Sequence, residues 1–371
     1  RGYTDKEIRS AIAKLKQAAG SLGGGLYNAN TEVYTLLRYG VNVQAEVTEK
    51  KKMVHLIDWA NPMENDFQIA EEVTIHGTSD RRPDLVVYVK GIALAVIELK
   101  RSTVSAHEGI RQNIRNQQDG YIPRFFTTIQ LLFAGNDTEG LHYGVIKTPE
   151  KFWLRWKEPC GEPCAKPHFT AEEYPNELDR SVLQFFEPVR LLEYIHDFII
   201  FDGGVKKAAR PNQYFAIKAA QPRVRNKQNG IIWHSQGSGK SLTMVWLAQW
   251  IRENVEDARV VIITDRDELD KQIENCFKDA GEQIKRATSG DKLIGMLNAA
   301  EPWLICSLIH KFSNKNDGDT ISVGGKRRPN HSTYTSKSWQ SRCLRISEQR
   351  EISMSLLTSA TAHREVCSTR Q

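Results

Sequence analysis

A chain of 371 residues with 40% hydrophobic and 26% charged residues exceeds what one hydrophobic core usually organises, so two domains are expected. Its mean hydropathy of −0.48 and the lack of a long uncharged apolar run exclude a helical membrane protein and a signal peptide, and point to the cytoplasm. A net charge of +6 suits a phosphate-bearing partner without demonstrating one, and six cysteines in so long a chain do not make a disulfide framework. The chain opens on Arg1 rather than methionine, so a short leader is expected to precede it.

Apolar residues recur at helical spacing over residues 5–20, glycines then interrupt from Gly20 to Gly25, and a second helix is expected at Asn30 to Leu37. Strands follow at Phe67 to Thr74, Leu85 to Val89 and Ile92 to Leu99, then a helix at Ala106 to Gln118 and an apolar run at Thr127 to Ala134. This alternation predicts an α/β domain over 1–160. Residues 161–185 read as a linker, rich at first in Pro, Cys and charge; Cys160, just before it, and Cys164 and His168 within it lack a matching second pair and are not expected to bind zinc.

A helix over Ser181 to Ile200 is expected to open a second domain over 186–318. Its rhythm is strand (Gly230 to His234), helix (Lys240 to Asn254), strand (Arg259 to Thr264), helix (Glu268 to Ala280) and strand (Trp303 to Leu308). That order predicts a parallel sheet with right-handed crossovers.

Between Arg82 and Lys100 two apolar runs flank Lys90-Gly91, a turn signal, so the segment should form an antiparallel hairpin. Asp84 opens the first strand and Glu98 ends the second, which brings the carboxylates together. Residues two apart share a strand face, so Lys100 points with Glu98. Cleaving a phosphodiester requires an activated water and neutralisation of charge on the phosphate, and two carboxylates with a lysine can supply both around Mg²⁺.

Ile231-Ile232-Trp233-His234-Ser235-Gln236-Gly237-Ser238-Gly239-Lys240-Ser241 sets a glycine-rich loop between an expected strand and a helix, the context of a P-loop. Backbone amides around Gly237, Ser238 and Gly239 would cradle phosphates, Lys240 would reach the β and γ phosphates of ATP, and Ser241 would ligate Mg²⁺. Histidine stands at 234 where the usual pattern starts with glycine.

The Pro83-Asp84 … Glu98-Leu99-Lys100 pattern resembles the PD-(D/E)XK nucleases. With Asn65-Asp66-Phe67 and Ala95-Val96-Ile97 around it, the text is similar to the N-terminal portion of type I restriction R subunits. Gln117-x-x-x-Tyr121 resembles that branch's Q-x3-Y element, which implies support of DNA binding or of the active-site geometry. Glu32 is a further candidate carboxylate for the metal. Asn212-Gln213-Tyr214-Phe215-Ala216 and Thr264-Asp265-Arg266-x-Glu268-Leu269-Asp270 resemble superfamily 2 helicase elements, with Gln213 implied as an adenine contact and an incomplete RecA-like domain as the fold.

The resemblance implies Mg²⁺-dependent cleavage of double-stranded DNA, ATP-driven translocation in the full-length protein, and methyltransferase and specificity subunits as partners in a bacterial or archaeal cell. A stand-alone nuclease with a nucleotide-sensing P-loop and an inactive product that only binds DNA or partners are the alternatives. No Asp-Glu pair follows Ile309-His310-Lys311-Phe312, where a motor needs one. Residues 319–371 read as an out-of-frame, poorly structured tail. Shifted by one base, permitted codons for Met354 to Val366 can spell Val-Phe-Val-Asp-Glu-Cys-His, so ATPase activity is expected to be lost.

Overall fold

The computed structural model describes residues 2–44, 50–159, 174, 176–312 and the backbone of 354–359. The chain divides into two compact units, Arg1–Ala219 and Ala220–Gln371. Cys160, Cys164 and His168 lie outside the described residues, as does nearly all of 319–371.

The first unit opens with α1 (Asp5–Gly20), started by a reciprocal cap in which Glu7 N donates to the Thr4 side chain and Thr4 N to Glu7. Helix α2 (Gly25–Tyr39) follows, starting earlier than the pattern predicts. Strands β1 (Val41–Val43) and β2 (Lys52–Val54) form a small antiparallel pair. The main sheet holds β3 (Phe67–Glu71), β4 (Leu85–Val89), β5 (Ile92–Leu99), β6 (Leu131–Asn136), β7 (Gly140–Gly144) and β8 (Leu154–Arg155), in that order.

All its pairings are antiparallel except β5 with β6. The parallel step needs a crossover, and α3 (Ala106–Asn116) provides it. The predicted hairpin forms as read: Lys90 (φ 50°) and Gly91 (φ 74°) make a two-residue turn with both central residues left-handed, which matches the strand twist. The core between α3 and the sheet gathers Val86, Val96, Ile110, Phe126, Leu132 and Ala134.

The helix predicted over Ser181 to Ile200 is two helices, α4 (Glu177–Phe185) and α5 (Pro188–Asp197). Pro188 has no N–H to continue a ladder, and the Glu187 side chain accepts from Arg190 N (2.8 Å), restarting the helix there. With β9 (Ile199–Asp202) and β10 (Val205–Ala208), these helices lie in the first unit, so the boundary falls at 219/220 and not near 160–186. The reason is packing: Trp156, fully buried, meets Phe185, Tyr194 and Tyr214 edge to face, and Tyr143 donates to Ala209 O (2.7 Å).

Helix α6 (Pro211–Arg225) contains the boundary. The second unit continues with α7 (Lys240–Asn254), β11 (Arg259–Thr264), α8 (Asp267–Asp279), β12 (Lys285–Arg286), α9 (Gly290–Asn298), β13 (Leu304–Leu308) and β14 (Met354–Ser359). They build a wholly parallel sheet, ordered β12-β13-β11-β14.

The strand predicted at Gly230 to His234 does not form, and Ile231 and Trp233 are 90% and 80% exposed. No described strand pairs with this run, whose backbone therefore joins no sheet. No described helix is long and apolar enough to cross a membrane.

Candidate active site

Asp84 precedes β4, whose Leu85 lies opposite Ile97 of β5, so the start of one hairpin arm stands beside the end of the other. The Asp84 Oδ2 accepts from Leu99 N at 2.6 Å, which fixes the carboxylate against the end of β5. Glu98, one position before Leu99, is 0% exposed. Lys100 Nζ stands 3.9 Å from Asp84 Oδ2 and 4.0 Å from Glu98 Oε2. The three groups predicted to converge are together.

A fourth joins them from α3. Gln112 donates through Nε2 to Glu98 Oε2 (2.7 Å) and accepts from Lys100 Nζ through Oε1 (2.9 Å), bridging anion and cation. Helix α3 reaches the strand closely because Gly109 faces it; a Cβ there would lie 3.1 Å from Glu98 O and from Ala134 Cβ. The sequence reading passed over Gln112. The signal was present: Gly109, Gln112, Asn113 and Asn116 share one helix face, and a polar inward face asks for partners.

The electrostatics are those of a site built around positive charge. Burial, and then the Asp84 carboxylate, push the Glu98 carboxyl from its ordinary 4.5 up to about 8, against the pull of Lys100. Its Oε1 is buried without any hydrogen-bond partner. While both are ionised the two carboxylates only accept and cannot satisfy one another, so the buried oxygen calls for either the proton that its raised pKa retains or a cation. Asp84 and Glu98 therefore fit a divalent metal.

Gln117 and Tyr121 do not reach these carboxylates through any hydrogen bond. Gln117 donates to Asn113 O (3.0 Å) and accepts from Lys147 N (2.7 Å), bracing the end of α3 against the loop after β7. The Tyr121 ring lies beneath the Arg81 guanidinium at 4.3 Å. Glu32 is exposed on α2 and does not gather with Asp84 and Glu98 into a three-ligand cluster.

In the second unit, Gly237 (φ 79°) and Gly239 (φ 85°) take left-handed backbone, a conformation that bulkier residues resist, and Gly239 caps α7. Lys240 Nζ donates to His234 O (3.1 Å) and Ser235 O (3.0 Å), curling over the loop's own carbonyls. Ser238 Oγ donates to Ser235 O (2.8 Å), and Ser241 is half-buried in the first turn of α7. A glycine-turned loop at a helix N-terminus with a lysine folded inward can receive phosphate oxygens. Gln213 belongs to the first unit, buried at the start of α6, where its Oε1 accepts from Arg210 N at 2.8 Å.

Residues 2–151 match the family model for the N terminus of the type I restriction enzyme R protein, and residues 212–354 match that for the SWI2/SNF2 ATPase. The chain resembles the type I restriction R proteins. It matches their N-terminal portion. The second match continues beyond residue 318, where the sequence reading placed the end of the domain.

Among relatives, the HindI type I restriction enzyme endonuclease subunit of Haemophilus influenzae is 27% identical over 316 residues, covering 76% of this chain and 29% of that protein. The SsaAORF53P subunit of Staphylococcus saprophyticus is 26% identical over 318 residues, 84% of this chain and 32% of the relative. The SauMSSORF170P subunit of Staphylococcus aureus is 25% identical over 280 residues, 73% and 28% respectively. The chain thus spans about a third of the length of these curated relatives. The hairpin site falls inside the first match and the glycine-turned loop inside the second.

Proposed function

We propose that this chain supplies the DNA-cleaving centre and the ATP-binding loop of the R subunit of a type I restriction-modification system, a type I site-specific deoxyribonuclease. The observation that carries the reading is the buried Glu98 oxygen left without a partner beside Asp84, flanked by Lys100 and Gln112. Asp84 and Glu98 hold Mg²⁺, which when bound polarises the phosphate and activates water. Lys100 places its ammonium over the same point to orient the nucleophile and offset negative charge on the phosphate. Gln112 holds Lys100 and Glu98 in register. Gln117 steadies the helix that carries Gln112. The substrate is double-stranded DNA, and in the longer protein ATP-driven translocation and the methyltransferase and specificity subunits deliver it, all in the cytoplasm.

The test is metal dependence. Purified chain with supercoiled plasmid should nick it when Mg²⁺ is added, stop with EDTA, and recover on Mg²⁺ re-addition. Cleavage that persists in EDTA would sink the assignment.

At the second site, Gly237, Ser238, Gly239, Lys240 and Ser241 bind ATP, and this chain turns it over negligibly. The sequence after β13 has no Asp-Glu pair to hold the hydrolytic metal. A one-base slip between about residue 313 and residue 350 accounts for that lack; the family match through residue 354 counts against a slip early in this range. In the shifted reading the acid pair falls at the positions of Thr358 and Ser359, level with Ile263 and Thr264 at the carboxyl end of the parallel sheet. Ligands of open parallel sheets bind at that end. Sequencing the DNA for residues 305–371 should reveal the acidic box in another frame. DNA-stimulated ATP turnover that Lys240→Ala abolishes would show the motor site to be intact.

A further inference from the structure

Two arginines, Arg81 and Arg82, precede the metal-site aspartate, and their surroundings differ. Arg82 has a carboxylate partner, Glu72, at 3.7 Å. Arg81 forms no ion pair among the described residues. Its guanidinium stacks on the Tyr121 ring at 4.3 Å and donates to Asp80 O (2.8 Å). The neighbouring Asp80 carboxylate is engaged elsewhere, accepting from Gly77 N and pairing with His76. A guanidinium stacked on a ring keeps donor edges free, the arrangement by which arginine meets a phosphate.

The stack is built in advance. The loop from β3 to β4 is closed by a two-way backbone bridge between Ile75 and Arg81 (2.8 and 3.0 Å). It is then pinned to the turn after α3: Thr78 N donates to Tyr121 O (3.0 Å) and Thr78 Oγ1 to Asp119 O (3.1 Å). Gly77 allows this approach, since a Cβ there would lie 2.4 Å from Tyr121 O. The loop that delivers Asp84 and the helix that delivers Gln112 are thus joined at Arg81 and Tyr121. Three residues of extended chain keep Arg81 within roughly 10 Å of Asp84, on the order of one nucleotide step from the scissile phosphate.

We propose that Arg81, held over the Tyr121 ring, contacts a DNA phosphate flanking the one that is cut and so positions the strand over Asp84 and Glu98. The contact is to backbone and carries no sequence preference. It rests on the nuclease reading above.

Binding of a short DNA duplex to the full chain, measured by fluorescence anisotropy without divalent metal across a salt series, tests it. Arg81→Ala should weaken binding about tenfold at low salt and lower the slope of log K against log salt by about one. Arg81→Lys should keep the slope and lose part of the affinity. Tyr121→Ala should move toward Arg81→Ala. With Mg²⁺ present, Arg81→Ala should raise KM more than it lowers kcat. An unchanged salt slope in Arg81→Ala overturns this proposal alone. A wild-type chain that does not bind DNA overturns it together with the nuclease reading.

Discussion

Glu98→Gln is expected to lower DNA cleavage by about a thousandfold or more while making the metal-free protein more stable above neutral pH. The first effect follows from losing one of two anionic ligands to a metal whose charge drives the reaction. The second follows from linkage. The Glu98 carboxyl ionises near 4.5 in the unfolded chain and near 8 in the folded one, so the folded state favours the protonated form. Its contribution to stability is complete below about pH 4.5 and is lost as the pH rises to about 8. At roughly 1.4 kcal/mol per pH unit, the loss is at most about 5 kcal/mol.

Glutamine keeps the shape, has no proton to lose and flattens that slope. Mg²⁺ should reverse the slope in the wild type, because it binds the ionised pair, and binding near pH 7 should release a proton. Urea unfolding at several pH values, with and without Mg²⁺, reads all of this. A wild-type stability that does not fall between pH 5 and 8 in EDTA would contradict the buried, orphaned state of Glu98.

The parts of this architecture that were legible in the sequence are those set by local chemistry. Gly91 readily takes the left-handed backbone that a two-residue hairpin turn needs, and once the turn closes, the two arms bring Asp84 and Glu98 to the same end of the hairpin. The loop from Gly237 to Ser241 is equally local, because two left-handed glycines before a helix specify it. What the sequence did not disclose depends on distant partners.

Ile231 to Trp233 is apolar enough for a strand, yet strand formation needs a neighbour, and no described strand pairs with it. The helices after residue 176 look like the beginning of a new domain, but Trp156 and Tyr143 draw them back to the first. Gln112 was hidden for the same reason: its meaning lies in Glu98 and Lys100, which are remote in sequence and joined only by the crossover. Gln117, chosen on a motif, makes its hydrogen bonds to backbone instead.

Lys206→Ala should destabilise the first unit strongly, by about 4 kcal/mol. Lys206 sits on β10 with 3% of its surface exposed. Its amine donates to Asn30 Oδ1 (2.8 Å) and Gln130 Oε1 (2.6 Å), between the rings of Tyr34 and Phe201. Asn30 is itself fixed, donating to the carbonyls of Phe126, Thr127 and Ile129. Neither carboxamide can turn to find another donor, so removing the amine orphans two buried oxygens as well as opening a cavity.

Burial holds the Lys206 pKa well below its ordinary 10.5. A depressed lysine contributes stability that is full above about 10.5 and is lost as the pH falls through the folded value, opposite in sense to Glu98. Both replacements should therefore abolish a rise in stability toward alkaline pH, while only alanine leaves the cavity. Lys206→Met separates the two causes: if the orphaned oxygens dominate, methionine recovers less than half of the loss. Hydrogen exchange at α2 and β6 amides is the readout, because it reports this unit whatever the second one does. Wild-type protection in Lys206→Met would show that packing alone, and not the amine, ties β10 to the sheet.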